Sequence, residues 1–219
     1  MKHYVRALLR CPLFDGLTER NLFSMLECLQ GRKLRYEKGE AIFHQGDTLR
    51  EIGVVLSGAV QVVQEDYKGN RTILAHVLPG ELFGEAFACA EVEALPVSIV
   101  AAEESVILLL SCRRITTPCH SACPGHTRLI YNLMHIMAQK NLQLNQKLQI
   151  TAQRTTREKL LAYLTQQSQL RGQRRFTIPF RRQELADFLH VDRSGLSVEI
   201  SKLKAEGMID CYRSTFELL

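Results

Sequence analysis

The stretch Arg182-Gln183-Glu184-Leu185-Ala186-Asp187-Phe188-Leu189-His190-Val191-Asp192-Arg193-Ser194-Gly195-Leu196-Ser197-Val198-Glu199-Ile200-Ser201-Lys202-Leu203-Lys204-Ala205 divides into two helical periods with a break between them. In the first, Leu185, Ala186 and Leu189 share one face; in the second, Leu196, Ile200 and Leu203 do, leaving Ser194, Ser197, Val198 and Ser201 on the other. His190-Val191-Asp192 forms a tight turn, with Asp192 as the N-cap whose carboxylate accepts orphan backbone N–H groups. Gly207 is the C-terminal stop. A small Ala186 at the crossing and an apolar Val191 in the turn suit helix-turn-helix geometry, in which the second helix stands off far enough to enter the ~12 Å major groove of a duplex. An αα-hairpin within a helical bundle has the same periodicity. The outer face that begins with Arg193 and small hydroxyls, after Arg181-Arg182, favours the groove-reading arrangement, because it puts cations where phosphate contacts are needed.

Residues 150–219 hold 12 Lys and Arg against 8 Asp and Glu, whereas residues 1–149 hold 16 against 15. A cationic excess gathered in one terminal module points to a polyanion as partner. Within that module, Thr156-Arg157-Glu158-Lys159 opens a further helix carrying Leu160, Leu161 and Leu164. A turn follows at Gly172, and residues 176–180 read as extended.

Upstream, residues 127–151 contain neither Gly nor Pro. Ile130, Met134, Met137, Asn141, Leu144, Leu148 and Thr151 recur there at alternate spacings of four and three. Such a stripe is a coiled-coil seam that buries its apolar edge against another helix. A lone Asn141 on the seam costs stability but fixes register by pairing with its symmetry mate. A core helix packed on its own domain, with Asn141 turned outward, is the competing reading, and the 3.5-residue repeat favours the dimer seam.

From residue 32 to 110 the period changes. Short β-rich runs at 52–56, 59–64, 72–78 and 105–110 are separated by Gly39-Glu40, Gly46-Asp47, Gly58, Gly69-Asn70, Gly80-Glu81 and Gly84-Glu85, which is the texture of a sandwich, jelly roll or barrel. Residues 67–71 read as a hairpin tip, and residues 19–30 as a helix capping the sheet. With 219 residues, 46% of them hydrophobic and 23% charged, the chain is that of a folded globular protein. Its longest strongly apolar run, residues 106–110, falls far short of the ~20 needed to span a bilayer. Lys2, Arg6 and Arg10 interrupt the first 14 residues, so no secretory segment is expected. Seven cysteines, an odd count, fit a reducing compartment, and a cytoplasmic protein with no membrane partner is expected.

The order of these textures resembles the Crp/Fnr superfamily of bacterial transcription regulators. Phe43-His44-Gln45-Gly46-Asp47, Val55-Leu56-Ser57-Gly58-Ala59-Val60 and Pro79-Gly80-Glu81-Leu82-Phe83-Gly84-Glu85 resemble its β-roll signatures. Gln183-Glu184-Leu185-Ala186 followed by Val191-Asp192-Arg193-Ser194 resembles its winged helix-turn-helix. The resemblance implies an α+β chain in three parts. These are an antiparallel, jelly-roll-like β-roll sensor over residues 1–126, a dimerisation helix over 127–152 and a winged helix-turn-helix over 153–219. It also implies a homodimer on palindromic double-stranded DNA, controlled by an effector and working with RNA polymerase. Arg182 and Gln183, beside Arg181, take the place of the phosphate-positioning residues. Arg193 and Ser194, with Ser197 and Val198 behind them, take that of the base readers. Residues 212–216 take that of the wing, from which Arg213 reaches a phosphate. The chain departs from the family at Val198, where many members have a second Arg, and at Ser194, where many have Glu, so the familiar half-site does not carry over.

The effector pocket is expected at Gly84, Glu85, Leu95, Pro96, Val97 and Ser98. Cyclic-nucleotide-binding relatives carry an Arg-Ser pair in the strip where this chain has Leu95-Pro96. A cyclic phosphate needs a cation or several aimed N–H groups to offset its desolvation, so cAMP is not the expected ligand and the effector stays unidentified. The alternative is a redox- or metal-sensing regulator using Cys112, Cys119, Cys123 and His126, whose thiolates and imidazole suit Zn²⁺ or an iron–sulfur cluster. Pro118, Pro124 and Gly125 place that group in a loop. Bystander thiols have the same spacing. No H-x-H, G-x-S-x-G, P-loop or H-E-x-x-H occurs, so an enzyme on the same scaffold has no motif to stand on, and a module without DNA contact leaves the basic third unexplained.

Overall fold

The computed structural model describes residues 2–65, 71–117 and 124–219. They divide into two compact units, residues 1–138 and 139–219. In the first, α1 (Val5–Arg10) and α2 (Glu19–Cys28) precede β1 (Arg32–Tyr36), β2 (Ala41–Phe43), β3 (Glu51–Ser57), β4 (Val60–Glu65), β5 (Arg71–Val77) and β6 (Leu82–Phe83). After these come α3 (Glu85–Cys89), β7 (Ser98–Ala101), β8 (Ser105–Ser111) and α4 (Cys112–Thr116). Two antiparallel four-stranded sheets result, in the orders β1-β8-β3-β6 and β2-β7-β4-β5. The interior strands β3 and β8 are buried along their centres, so they read as continuous aliphatic runs rather than as alternation. Gly53 of β3 has no side chain because the ring of Phe83 lies where a Cβ would stand. α2 buries Leu22, Met25 and Leu26 in the same core, and Thr18 caps it by accepting the N–H of Asn21 at 3.3 Å.

Strands β4 and β5 pair as far as Glu65↔Arg71, so the expected hairpin tip falls on residues 66–70, outside those described. The strands β1, β2, β6 and β7 have no counterpart among the runs expected from sequence. β1 is polar and mostly exposed, and β2 is three residues long, so neither presents an apolar period.

The long helix α5 (Pro124–Thr151) begins before the expected start at residue 127. Pro124, Gly125 and His126 are its first turn and not part of a loop. Proline is tolerated there because the N–H it lacks has no helical acceptor. At Gly125 a Cβ would meet the terminal methyl of the Met25 side chain, which would have to move aside. Leu129, Leu133 and Ile136 are buried in the core of the first unit, and the Asn132 amide donates to the carbonyls of Leu13 and Asp15, each at 2.9 Å.

The second unit contains α6 (Thr156–Arg171), β9 (Arg175–Thr177), α7 (Arg182–Leu189), α8 (Arg193–Ala205), β10 (Ile209–Tyr212) and β11 (Thr215–Leu218). Thr155 and Glu158 close a reciprocal capping box at the start of α6, and Gly172 ends the helix in the left-handed region. The three strands form an antiparallel sheet in the order β10-β11-β9. Leu160, Leu164, Leu185, Leu196, Leu203 and Phe216 fill a separate small core. Among the described residues no helix is long and apolar enough to cross a membrane.

Candidate nucleic-acid interface and effector strip

α7 and α8 occupy the two expected helical stretches. Ala186 is fully buried, and Leu185, Leu189, Leu196, Ile200 and Leu203 turn inward. The junction is made by local chemistry. His190 takes a left-handed conformation (φ 51°), and the N–H of Val191 returns to the carbonyl of Ala186 at 3.0 Å. The Asp192 carboxylate accepts the N–H of Gly195 at 2.8 Å and also the Ser194 hydroxyl. These donors, the hydroxyl foremost, hold the Asp192 carboxyl below the usual carboxylate range. At the start of α7 the Glu184 carboxylate accepts the N–H of Arg181 at 2.6 Å.

The outer face of α8 is solvent-exposed at Arg193, Ser194, Ser197, Val198 and Ser201, with Val198 54% exposed. Ser197 and Ser201 donate their hydroxyls to the carbonyls of Arg193 and Ser197, both at 3.0 Å. The sequence does not reveal that all three expected serine hydroxyls are engaged within the helix or its cap.

Several cations of this unit are committed to carboxylates. Arg157 pairs with Glu206 and, at 3.4 Å, with Glu199; Lys204 pairs with Asp210 at 2.6 Å. Each partner carboxyl is held low by its cation in the pairs with Glu206 and Asp210. Among the described residues, no carboxylate pairs with Arg181, Arg182, Arg193 or Arg213. The Arg182 guanidinium lies over the Phe216 ring at 5.7 Å, and that of Arg213 over the exposed Tyr212 ring at 5.4 Å. Arg213 (φ 53°) and Ser214 form the two-residue turn of the β10–β11 hairpin, where the Ser214 hydroxyl donates to the carbonyl of Phe180 at 3.0 Å. Gln183 is tied to Asp187 at 2.8 Å.

On α5, within the stripe Ile130, Met134, Met137, Asn141, Leu144 and Leu148, Ile130 is half-buried and Met137 packs partly against the core of the first unit. Met134, Leu144 and Leu148 are 67%, 68% and 64% exposed, and the Asn141 side-chain oxygen accepts from Asn145 at 2.7 Å.

In the first unit, Gly84 (φ 77°) leads into α3, and Glu85 is buried in its first turn. Leu95 and Val97 are buried, while Pro96 is exposed. The strip is fastened to the segment before β3. Leu95 exchanges backbone hydrogen bonds with Gly46 and Asp47, both at 2.9 Å, and Ser98 accepts the N–H of Gln45 at 2.9 Å. Thr48 donates to the carbonyl of Glu93 at 2.7 Å, and Arg50, not singled out from sequence, donates to that of Val92 at 2.9 Å.

Of the expected metal ligands, Cys119 and Cys123 lie outside the described residues. His126 is buried, with Nε2 at 3.1 Å from the carbonyl oxygen of Arg114. Cys112 Sγ lies 3.4 Å from Sγ of Cys89, a residue missed in the sequence because no short spacing links the two. The S–H of Cys89 lowers the Cys112 thiol to about 7, and that of Cys89 is pushed up in return. Among the described residues, no three His, Cys, Asp or Glu side chains converge as a metal site.

Residues 33–117 match the model of the cyclic nucleotide-binding domain, and residues 158–219 that of the Crp-like helix-turn-helix domain. The chain is 37% identical over 99 residues to the cyclic AMP receptor protein of Thermus thermophilus, covering 45% of this chain and 44% of that protein, less than half its length. It is 25% identical over 186 residues to the transcriptional activator protein FnrA of Stutzerimonas stutzeri, covering 83% and 73%. The crystal structure of the Thermus thermophilus catabolite activator protein superposes with a TM-score of 0.51 at 26% identity, covering 95% of this chain and 93% of that one.

Proposed function

Since the chain belongs to the Crp/Fnr family of transcription regulators, we propose that it acts as a homodimer on a palindromic DNA site, inserting α8 of each protomer into the major groove. The observation that carries this reading is the outer face of α8. It is exposed and led by Arg193, and Arg181, Arg182 and Arg213 of the same unit are free of carboxylates among the described residues. Arg193 reads a base edge, a task for which a guanidinium is suited through bidentate contact with guanine O6 and N7. Arg182 and Arg213 hold phosphates, and Val198 offers its methyls to a thymine. The exposed stripe on α5 is the dimer seam, and two reading heads so joined require half-site centres ~34 Å apart. The protein works in the cytoplasm, with RNA polymerase as a further partner.

The effector is a small molecule other than cAMP, bound around Gly84, Glu85 and residues 95–98. Leu95-Pro96 stands where cyclic-nucleotide-binding relatives carry the Arg-Ser pair. The second reading, a sensor holding Zn²⁺ or an iron–sulfur cluster at Cys112, Cys119, Cys123 and His126, is tested by metal analysis of anaerobically purified protein.

The regulator reading is tested by selecting a binding site from random duplexes and then measuring affinity by fluorescence anisotropy across a salt series. A palindrome should be recovered, with log K falling linearly against log salt. Recovery of no preferred sequence overturns the reading.

A further inference from the structure

We propose that Cys89 and Cys112 form a reversible disulfide that closes the segment between them in the β-roll unit. The two residues are 23 apart in sequence, yet their sulfurs are 3.4 Å apart. Cys89 is the last residue of α3, and Cys112 is the first of α4, directly after β8. A disulfide spans about 2.05 Å, so closure requires a movement of about 1.4 Å, within reach of two side chains at the ends of short helices. Cys89 is exposed and Cys112 buried, so an oxidant in solution meets the pair from one side. Cys11, by contrast, is buried in the core, and burial pushes its thiol up to about 12.

The closed segment contains residues 92–98, whose backbone and side chains are fastened to Gln45, Gly46, Asp47, Thr48 and Arg50. A bond between Cys89 and Cys112 adds a covalent tie at both ends of that fastening. It fixes α3 against the β8–α4 junction and limits how far the strip opens.

Hydrogen peroxide is a sufficient oxidant. The thiolate of the pair attacks one peroxide oxygen; the O–O bond breaks, a sulfenic acid forms and hydroxide leaves. The partner sulfur gives up its proton and attacks the sulfenic sulfur. The S–S bond forms, the S–O bond breaks, and the second hydroxide leaves. With the two thiol protons, the two hydroxides become water, so two thiols are oxidised by two electrons and one peroxide is reduced. A dithiol reductant reverses the bond by exchange through a mixed disulfide.

The inference does not rest on the DNA reading, and its test reads thiols alone. The full chain is reduced, stripped of metal with a chelator, treated with hydrogen peroxide, alkylated with N-ethylmaleimide and digested without reductant for mass spectrometry. The expected product is one cross-linked peptide joining Cys89 to Cys112, two hydrogens lighter than the separate peptides and lost on adding dithiothreitol, while Cys11 stays alkylated. Hydrogen exchange over residues 92–98 should slow several-fold in the oxidised form. Cys89→Ser, at an exposed position, should keep the melting temperature and lose the cross-link; Cys112→Ala is the second variant. Alkylation of both cysteines after peroxide treatment, a bond from Cys89 to another cysteine, or an unlinked pair protected only by added Zn²⁺ would each overturn the proposal.

Discussion

The outer face of α8 and the strip at residues 92–98 are the two places where ligand contacts are expected, and they use their polar groups in opposite ways. On α8 the serine hydroxyls and the capping carboxylate are satisfied locally, while Arg193 and, in the same unit, Arg181, Arg182 and Arg213 are left without carboxylate partners among the described residues. In the strip, the Leu95 N–H, the carbonyls of Val92, Glu93 and Leu95 and the Ser98 hydroxyl are spent on the segment at 45–50, and Leu95 and Val97 are buried. Uncommitted cations on a rigid helix announce a polyanion. A strip whose carbonyls are taken up by its own chain announces a shape and leaves the chemistry of its ligand open.

The largest test of this contrast removes the support beneath the reading face. Leu196 is fully buried, and Leu196→Ala should cost about 2–5 kcal/mol of stability in urea unfolding and abolish DNA binding with it. Retention of full stability would mean the face does not depend on that core. Next in size, Arg193→Ala should lose about 1–3 kcal/mol of discrimination between the selected site and single-base variants, with little change in salt slope. Arg182→Ala and Arg213→Ala should instead weaken all sequences alike and lower the slope by about 1 each. If the two classes of variant behave identically, the division between base reading and phosphate holding is wrong.

A smaller effect concerns pH. The Asp192 carboxyl is depressed in the folded state, so its contribution is present above its ordinary value of 3.8 and is lost as pH falls through the folded value. Asp192→Asn keeps a capping side chain without the titration. Its melting temperature should therefore fall less steeply on the acid side than the parent's, the remaining decline coming from carboxyls such as Glu206 and Asp210 that are also held low; matching profiles would remove Asp192 as a cause. The smallest expected effect is none at all: cAMP added in excess should leave the melting temperature unchanged, because ligand stabilisation requires binding to the folded state. A clear upward shift would show that the strip holds a cyclic phosphate without the expected guanidinium.

The second unit was more legible than the first because its determinants are local. A cap at Asp192, a stop near Gly207 and two apolar faces lie within one short stretch, and each acts over four residues or fewer. The β-roll texture was visible in glycine punctuation, but the order of strands depends on pairings such as Arg32↔Leu109, which no local period encodes. β1 was missed because its side chains are mostly exposed, and the first turn of α5 because Pro124-Gly125 has the composition of a loop. Arg50 and Cys89 were missed for the same reason: each acts on a residue distant in sequence that only the tertiary fold brings near.

The hydroxyls of Ser197 and Ser201, folded back on the turn before them, carry one more consequence. A surface whose rotors are already parked has little disorder to surrender when it meets a partner. Freezing a long side chain costs about 0.5–1.5 kcal/mol, and Arg193 is the one such rotor among the five exposed residues of that face. Calorimetry of association should therefore assign the ordering penalty of the reading helix to a single arginine.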